Sequence, residues 1–247
     1  SDVGTTKGVP AMKTNFFYNN SKGADNMAAF YQESDYENAL LELFEQHLGY
    51  EYVCGYHIDH NVKSPLYDEV LEESIFRINK GKPYDAIKNA LLTLKNFENG
   101  TLVQKNAVFT DYLQNGISAR YTENGEERST LIYLIDWENI ENNSFICANQ
   151  WTFIENSNRR PDILLFINGL PLVLIELKSP SREDTDASEG YTQIRNYMHE
   201  IPSMFYYNQI CVMSDQLTSK AGTITSDETR FMEWKTVDGS YENTEYA

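Results

Sequence analysis

The chain has 247 residues, with 20 Lys and Arg against 37 Asp and Glu, which gives a formal net charge of −17, and 41% of its residues are hydrophobic. This length allows one or two domains, and the apolar content excludes a chain that is disordered throughout. No run reaches the ~18 apolar residues of a membrane span and no signal-peptide pattern opens the chain, so we expect a soluble, cytoplasmic protein with no membrane partner.

The first predicted helix begins after a polar lead-in that covers residues 1–30. Ser34 and Glu37 have the spacing of a capping box, and the helix is expected to run to Leu48, with Gly49 as its stop. At about 100° per residue Glu37 lies on the same stripe as Leu40, Leu41, Phe44 and Leu48, which points a carboxylate inward.

The next patterns predict a helical insertion and then a sheet. Helical periods at 67–78 and 84–97 indicate a helical hairpin near residues 65–98. From about Gln104 the pattern changes to short apolar runs typical of strands, and after a polar bend at 179–184 a helix is expected at 187–199. The predicted strands are 117–122, 131–135, 145–154, 163–167, 172–177 and 209–214.

These elements predict an α/β fold, a mixed β-sheet flanked by helices with a helical insertion. We expect one compact domain over residues 31–237, followed at 238–247 by the start of a linker. Cys54, Cys147 and Cys211 are too few and too widely spaced for a disulfide framework, so we expect buried thiols.

Three charged residues flank two apolar strands that Asn168-Gly169 is expected to join as a hairpin, with Pro171 lengthening the loop slightly. Folding there returns the chain so that Asp162 and Glu176 can lie side by side, and Lys178 shares a strand face with Glu176. Two carboxylates and a lysine suit Mg²⁺ and phosphodiester hydrolysis. The alternative is that these residues only cap strand ends or form a salt bridge, and their spacing leaves both open.

Several motifs together resemble a known family. Pro161-Asp162 followed after 14 residues by Glu176-Leu177-Lys178 is similar to the PD-(D/E)XK nuclease signature, and Gln193 with Tyr197 resembles the QxxxY element of related nucleases. With the segments at 34–37, 48–52, 134–150 and 168–173, the resemblance covers about residues 34–236. It is to the N-terminal nuclease region of the type I restriction enzyme R subunit.

The resemblance implies a restriction-endonuclease-like fold and a role for each motif residue. Asp162 and Glu176 would bind Mg²⁺, which Mn²⁺ can replace, and Lys178 would serve the attacking water. Glu37 would complete the catalytic acidic cluster, although a capping box alone also explains a Glu at this position.

Other residues would support the site or contact DNA. Gln193 and Tyr197 would contact DNA or support the metal ligands, against the alternative of an ordinary pair on a helix edge. Arg159 and Arg160 could contact a phosphate, although surface arginines are more often solvated.

A zinc site is not expected at two other polar residues. His57 and His60 have metal-like spacing but no third ligand nearby in the sequence.

The function implied is that of a Mg²⁺-dependent endonuclease that cuts duplex foreign DNA. The chain has no GxxxxGK[ST] loop, so ATP would act only through a motor that follows the linker, and the chain would be a nuclease fragment. The partners implied for the full-length protein are duplex DNA and the modification and specificity subunits. Because the chain is acidic, it should bind nucleic acid poorly by itself.

Two alternatives remain open. One is a non-catalytic docking module of the same subunit. The other is a PD-(D/E)XK nuclease of another DNA-processing system.

Overall fold

The computed structural model describes residues 33–178, 187–215 and 218–233. The predicted lead-in at 1–30, the polar bend at 179–184 and the linker at 238–247 lie outside these ranges. Within them the chain forms a mixed sheet with helices on both faces, which confirms the predicted α/β architecture. The predicted domain boundaries stay predictions.

Seven strands form the central sheet, in the order β1-β4-β7-β8-β9-β10-β11. Strands β1 and β4 are parallel, as are β8 and β9, and the other neighbours are antiparallel. Two small hairpins, β2-β3 and β5-β6, stand outside this sheet. The strands are β1 Glu51–Cys54, β2 Ile117–Glu123, β3 Glu126–Ile132, β4 Phe145–Asn149, β5 Phe153–Ile154, β6 Asn158–Arg159, β7 Ile163–Ile167, β8 Leu170–Leu177, β9 Ile210–Ser214, β10 Ser219–Gly222 and β11 Met232–Glu233.

Six α-helices surround the sheet in the described ranges. The helices are α1 Glu33–Gln46, α2 Asp68–Ile78, α3 Tyr84–Lys95, α4 Leu102–Asn115, α5 Ala187–Glu200 and α6 Met204–Tyr207. Helix α1 ends before Gly49, whose φ of +73° places it in the left-handed region that stops helices. Helices α2 and α3 form the predicted insertion.

The two faces of the sheet bury different helices. On the α1 face, Leu41 packs against alternate residues of three strands, and on the α5 face Ile194 and Tyr197 pack against Leu164 and Leu174. The α1-face cluster is Leu41, Cys147, Ile163, Leu165, Ile175 and Leu177. Because neighbours in a strand point to opposite faces, this division fixes where each site residue of β8 projects.

The turn between β7 and β8 has the predicted Asn-Gly geometry. Asn168 and Gly169 have φ values of +51° and +77°, as a tight two-residue hairpin requires. A Cβ on Gly169 would lie 2.6 Å from Tyr67 O, so the turn packs directly on the start of α2. Pro171 lies inside β8, where a register shift opposite Leu165 absorbs the extra residue, so the predicted lengthening of the loop was wrong.

Four sequence predictions about elements were wrong. Helix α4 lies where the strand-like pattern is expected to begin and where the sequence predicts no helix, and it starts at the capping box of Thr101 and Gln104. Strand β3 lies at 126–132 rather than 131–135. Strand β4 ends at Asn149 because Gln150, with a φ of +52°, turns the chain away. Leu48 is 57% exposed, since α1 has ended before it.

The cysteines agree in part with the expectation of buried thiols. Cys147 and Cys211 are buried and Cys54 is half-buried, and all three are free. No helix in the described ranges combines the length and the hydropathy needed to cross a membrane.

Candidate active site

The candidate site lies at the end of the sheet where β8 finishes and β7 begins. Ile163 pairs with Ile175, so the antiparallel register places Asp162 opposite Glu176. Asp162 Oδ2 accepts a hydrogen bond of 2.7 Å from the backbone N of Leu177. The hairpin therefore brings together the two carboxylates that the sequence singled out.

Lys178 is paired with Glu176. Its Nζ lies 2.7 Å from Glu176 Oε1 and 2.9 Å from the carbonyl oxygen of Leu177, while its backbone N donates to Ser214 O over 2.8 Å. The Glu176 side chain is 4% exposed and that of Lys178 is 18% exposed. A buried carboxylate is costly unless it is paired, and here the ammonium group supplies that compensation.

Tyr197 supports Glu176 from helix α5. Its hydroxyl group lies close enough to Glu176, and to Gln193 one helical turn earlier, for both to shift its pKa. Burial raises the pKa of Tyr197 above its ordinary value, and the charge of Glu176 raises it further. Gln193 lowers this pKa, and the charge of Asp162 raises it by a smaller amount. The phenol therefore stays protonated and can donate to the carboxylate. Two roles were predicted for Gln193 and Tyr197, namely DNA contact and support of a metal ligand. Their position near Glu176 is the one expected for support of a metal ligand.

An open cleft leads from the solvent to this centre. It has a volume of about 290 Å³ and is lined by Lys178, Glu189, Thr192 and Gln193. Glu189 and Thr192 were missed in the sequence analysis. Glu189 lies four residues before Gln193, so the helical period could have placed it on the same face of α5.

Glu37 reaches the same end of the sheet from the opposite face. Its Oε1 accepts from Asn149 Nδ2 at 2.7 Å, and Asn149 in turn accepts from the hydroxyl group of Tyr52 at 3.0 Å. Asn149 pairs with Ile163, which points to the α1 face, whereas Glu176 points to the α5 face. Sequence reasoning gave no role to Asn149.

Asp162 and Glu176 form a carboxylate pair and not a triad. Over residues 33–178, 187–215 and 218–233, no three His, Cys, Asp or Glu side chains lie together in a way that could hold a metal ion. The predicted catalytic role of Glu37 therefore stays a prediction. The carboxylates of Asp162 and Glu176, with the Leu177 carbonyl oxygen nearby, are hard oxygen donors of the kind that Mg²⁺ prefers.

The two candidate arginines differ in their surroundings. Arg159 forms a bidentate ion pair with Glu200, whose pKa it lowers by hydrogen bonding and charge. Arg160 donates to the hydroxyl group of Tyr56, and its guanidinium lies 5.1 Å from the centre of that ring. Both Arg160 and Tyr56 are exposed. Arg160, two residues before Asp162, is therefore the one that is open to a phosphate.

His60 packs against the core. Its ring stacks on Trp151 at a centroid distance of 4.0 Å, and its Nε2 lies 3.0 Å from the carbonyl oxygen of Thr152. His57 is exposed. Neither belongs to a metal-binding group of side chains in the described part of the chain.

Comparison with known proteins relates the chain to one family. The sequence model of the type I restriction enzyme R protein N terminus matches residues 30–230. The type I restriction enzyme HindI endonuclease subunit of Haemophilus influenzae is 33% identical over 216 residues, which cover 83% of this chain and 20% of that protein. A Methanocaldococcus jannaschii protein, provisionally named the type I restriction enzyme MjaIXP endonuclease subunit, is 34% identical over 212 residues, 82% of this chain and 20% of that protein.

A more distant relative shows the same partial coverage. The type I restriction enzyme SauCOLORF180P endonuclease subunit of Staphylococcus aureus is 27% identical over 198 residues, which cover 78% of this chain and 19% of that protein. The chain thus spans about a fifth of the length of the curated relatives it matches.

Proposed function

Because this chain belongs to the family of type I restriction enzyme R protein N-terminal regions, we propose that it is a Mg²⁺-dependent endonuclease domain that hydrolyses phosphodiester bonds of duplex DNA. The observation that supports this most is the meeting of Asp162, Glu176 and Lys178 at one end of the sheet, within hydrogen-bonding distance of each other or of the strand between them.

Asp162 and Glu176 would hold the cation, Mg²⁺ or Mn²⁺ in its place. When bound, the cation would offset the negative charge that develops on the phosphate and would orient it. The chain itself fixes the two carboxylates in advance. Leu177 N donates to Asp162 and Lys178 Nζ donates to Glu176, while Tyr197 and Gln193 lie close to Glu176 on α5.

Lys178 would orient the water that attacks the phosphorus atom. Its ammonium group is a donor placed beside the Glu176 carboxylate and in the lining of the cleft. The same positive charge would stabilise the additional negative charge of the phosphate in the transition state. Arg160 would bind a neighbouring phosphate, because its guanidinium is exposed on Tyr56 and lies close to Asp162 in the chain.

The full-length protein would supply what this acidic domain lacks. With a net charge of −17, the chain repels a duplex at long range. We propose that an ATP-driven motor elsewhere in the R subunit delivers the DNA, and that modification and specificity subunits choose it. Association with such a machine would explain how an acidic surface is compatible with cleavage.

The test is a titration of the chain with Mn²⁺, followed by electron paramagnetic resonance, in the wild type and in Glu176→Gln. The substitution keeps the shape of the side chain and removes its charge, so we expect Mn²⁺ affinity to fall by about tenfold or more. Glu42→Gln, on the exposed side of α1, is the matched control and should bind as the wild type does. Equal affinity in Glu176→Gln and the wild type would contradict the proposed metal centre.

A second test separates the nuclease from a non-catalytic docking module. In the full-length R subunit, Glu176→Gln should abolish restriction of unmodified DNA while ATP hydrolysis continues. If restriction persists at the wild-type level, the domain is a docking module that retains the fold of a nuclease.

A further inference from the structure

A second cleft lies at the other end of the sheet. It has a volume of about 390 Å³, and its lining includes Lys63, Lys95 and Lys105 together with Phe97 and Tyr206. We call it the lysine cleft. Two of these residues, Lys95 and Phe97, lie at the end of the helical insertion. The insertion therefore forms part of the cleft in addition to covering the sheet.

The charge of the lysine cleft is opposite to that of the chain. No Asp or Glu is among its lining residues, although the chain carries a net charge of −17. In the described part of the chain, Lys63 and Lys105 form no ion pair, and Lys95 lies 2.5 Å from Asp68. A polyanion would therefore meet two ammonium groups that no carboxylate neutralises.

The carboxylates around the cleft have other contacts or face elsewhere. Glu155 accepts from both the backbone N and the hydroxyl group of Ser203, at 3.0 Å each. Glu98 does not line the lysine cleft itself, but it lines the adjoining groove between α3 and α4, which shares Phe97 and Lys105 with the cleft. The cationic character of the cleft is therefore local.

Two aromatic rings stand beside the lysines. Lys105 Nζ lies 4.6 Å from the centre of the Tyr206 ring, and the Phe97 ring is 5.7 Å from Tyr206 in an edge-to-face arrangement. Both rings are half-buried, so each keeps part of its surface open. Ammonium groups that can neutralise phosphates, next to rings on which bases can stack, are the features of sites for single-stranded nucleic acid.

The lysine cleft is separate from the candidate active site. Helix α6, which carries Tyr206, leads into β9 where Gln209 N bonds to Leu172 O at the start of β8. Glu176 is four residues further along the same strand, which corresponds to about 13 Å. A ligand in the lysine cleft would therefore contact a different end of the sheet.

We propose that the lysine cleft binds an unpaired DNA strand, with Lys63 and Lys105 on its phosphates and Tyr206 or Phe97 against a base. An unpaired strand fits better than a duplex, because the bases of a duplex are already stacked and cannot reach the rings. The proposal uses the proposed function only to choose DNA as the probe.

The experiment measures the fluorescence anisotropy of a labelled thymidine oligonucleotide in EDTA, where no metal centre can form, so its failure would leave the Mn²⁺ test unaffected. Lys63→Glu/Lys105→Glu is compared with Lys80→Glu/Lys82→Glu, which changes the net charge by the same amount. We expect the first pair to weaken binding by about tenfold or more, and the control to weaken it much less.

The salt dependence gives a second readout. Each phosphate contact on a single strand contributes about 0.7 to the slope of log affinity against log salt, so the loss of two should lower the slope by about 1.4. Tyr206→Leu should weaken binding of the oligonucleotide without changing the slope. Equal binding by the two charge-reversed variants would overturn the proposal.

Competition assays identify the class of ligand. A polyglutamate peptide or free ATP should displace the oligonucleotide only weakly. Preferential binding of polyglutamate would make the cleft a protein-docking surface, and preferential binding of ATP would make it a nucleotide pocket. Either result would overturn the proposal of a DNA strand.

Discussion

At the scale of single residues, the hydroxyl group of Tyr197 is a donor that lies near the Glu176 carboxylate. Replacement of Tyr197 by Phe removes this donor and leaves the buried ring. We expect Mn²⁺ affinity to fall by roughly 10- to 100-fold, as for other groups that orient a metal ligand. Because burial keeps the pKa of Tyr197 raised, this difference should be constant from neutral to mildly alkaline pH.

The control for this prediction is Tyr207→Phe. Tyr207 is also buried, but its hydroxyl group donates to Leu94 O in another part of the core. Isothermal titration calorimetry should show the same Mn²⁺ affinity for Tyr207→Phe as for the wild type. A similar loss of Mn²⁺ affinity in both variants would mean that the affinity depends on the overall stability of the fold and not on the hydroxyl group next to Glu176.

The neighbouring residues Arg159 and Arg160 should differ in their contribution to DNA binding. Arg160→Ala should weaken binding of duplex DNA at low salt, because it removes an exposed guanidinium of a residue two positions before Asp162. Arg159→Ala should leave this affinity nearly unchanged, since its guanidinium is occupied by Glu200. Filter binding in EDTA compares the two, and a larger loss for Arg159→Ala would contradict the assignment.

The sequence was sufficient for the hairpin residues of the site but not for their neighbours. Asp162 and Glu176 could be placed together because one local turn determines their register. The face on which Glu37 lies depends on how α1 packs against the sheet, which is a tertiary contact. Similarly, Arg159 meets Glu200, a residue 41 positions away, and no local pattern indicated that pair.

At the scale of elements, two Asn-Gly turns offer a matched comparison. Asn124 and Asn168 have φ values of +53° and +51°, but Asn124 is exposed whereas Asn168 is fully buried. Asn168 also accepts from Ser144 N at 2.7 Å and donates to Leu134 O at 2.9 Å. The backbone strain of the left-handed Asn is therefore similar in both turns, but only the Asn168 side chain forms hydrogen bonds in the core.

Replacement by Ala should expose this difference. Asn124→Ala should cost about 1 kcal/mol of unfolding free energy from backbone strain alone. Asn168→Ala should cost about 1–3 kcal/mol more, because buried hydrogen-bonding groups lose their partner. Urea denaturation of both variants measures the values, and equal costs would contradict a structural role for the Asn168 side chain.

The elements that sequence reasoning missed have local causes. Helix α4 has a weakly amphipathic sequence with only Phe109 fully buried, so no strong helical period marks it. The capping box of Thr101 and Gln104 was the available signal. Strand β4 was extended too far, because the apolar run continues through Trp151 and Phe153, which fold into the core after the chain has turned at Gln150.

At the scale of the whole molecule, buried thiols should make the fold sensitive to alkali. Burial raises the pKa of Cys147 and of Cys211 from the ordinary 9.0 to about 12. Above pH 9.0 the unfolded chain releases these protons while the folded chain keeps them, so stability is lost as pH rises, until the folded pKa is passed. The slope should reach about 1.4 kcal/mol per pH unit for each thiol.

Urea denaturation at several alkaline pH values measures this slope. Cys147→Ala/Cys211→Ala should be less stable at neutral pH, because it leaves cavities, yet should lose less stability as the pH rises. Cys54→Ala, at a half-buried position, is the control. An unchanged slope in the double variant would show that other groups cause the alkaline sensitivity.

The contact between Tyr67 and the turn at Gly169 has a mechanical consequence. Tyr67 N donates to Gly169 O over 2.9 Å, and from this turn β8 runs as one strand to Glu176, paired with β7 as far as Ile175 and with β9 from Val173 onward. Such a strand behaves as a stiff rod between the helical insertion and the carboxylate. A force that pulls on α2 would therefore act as a load on Glu176 from the far end of the sheet.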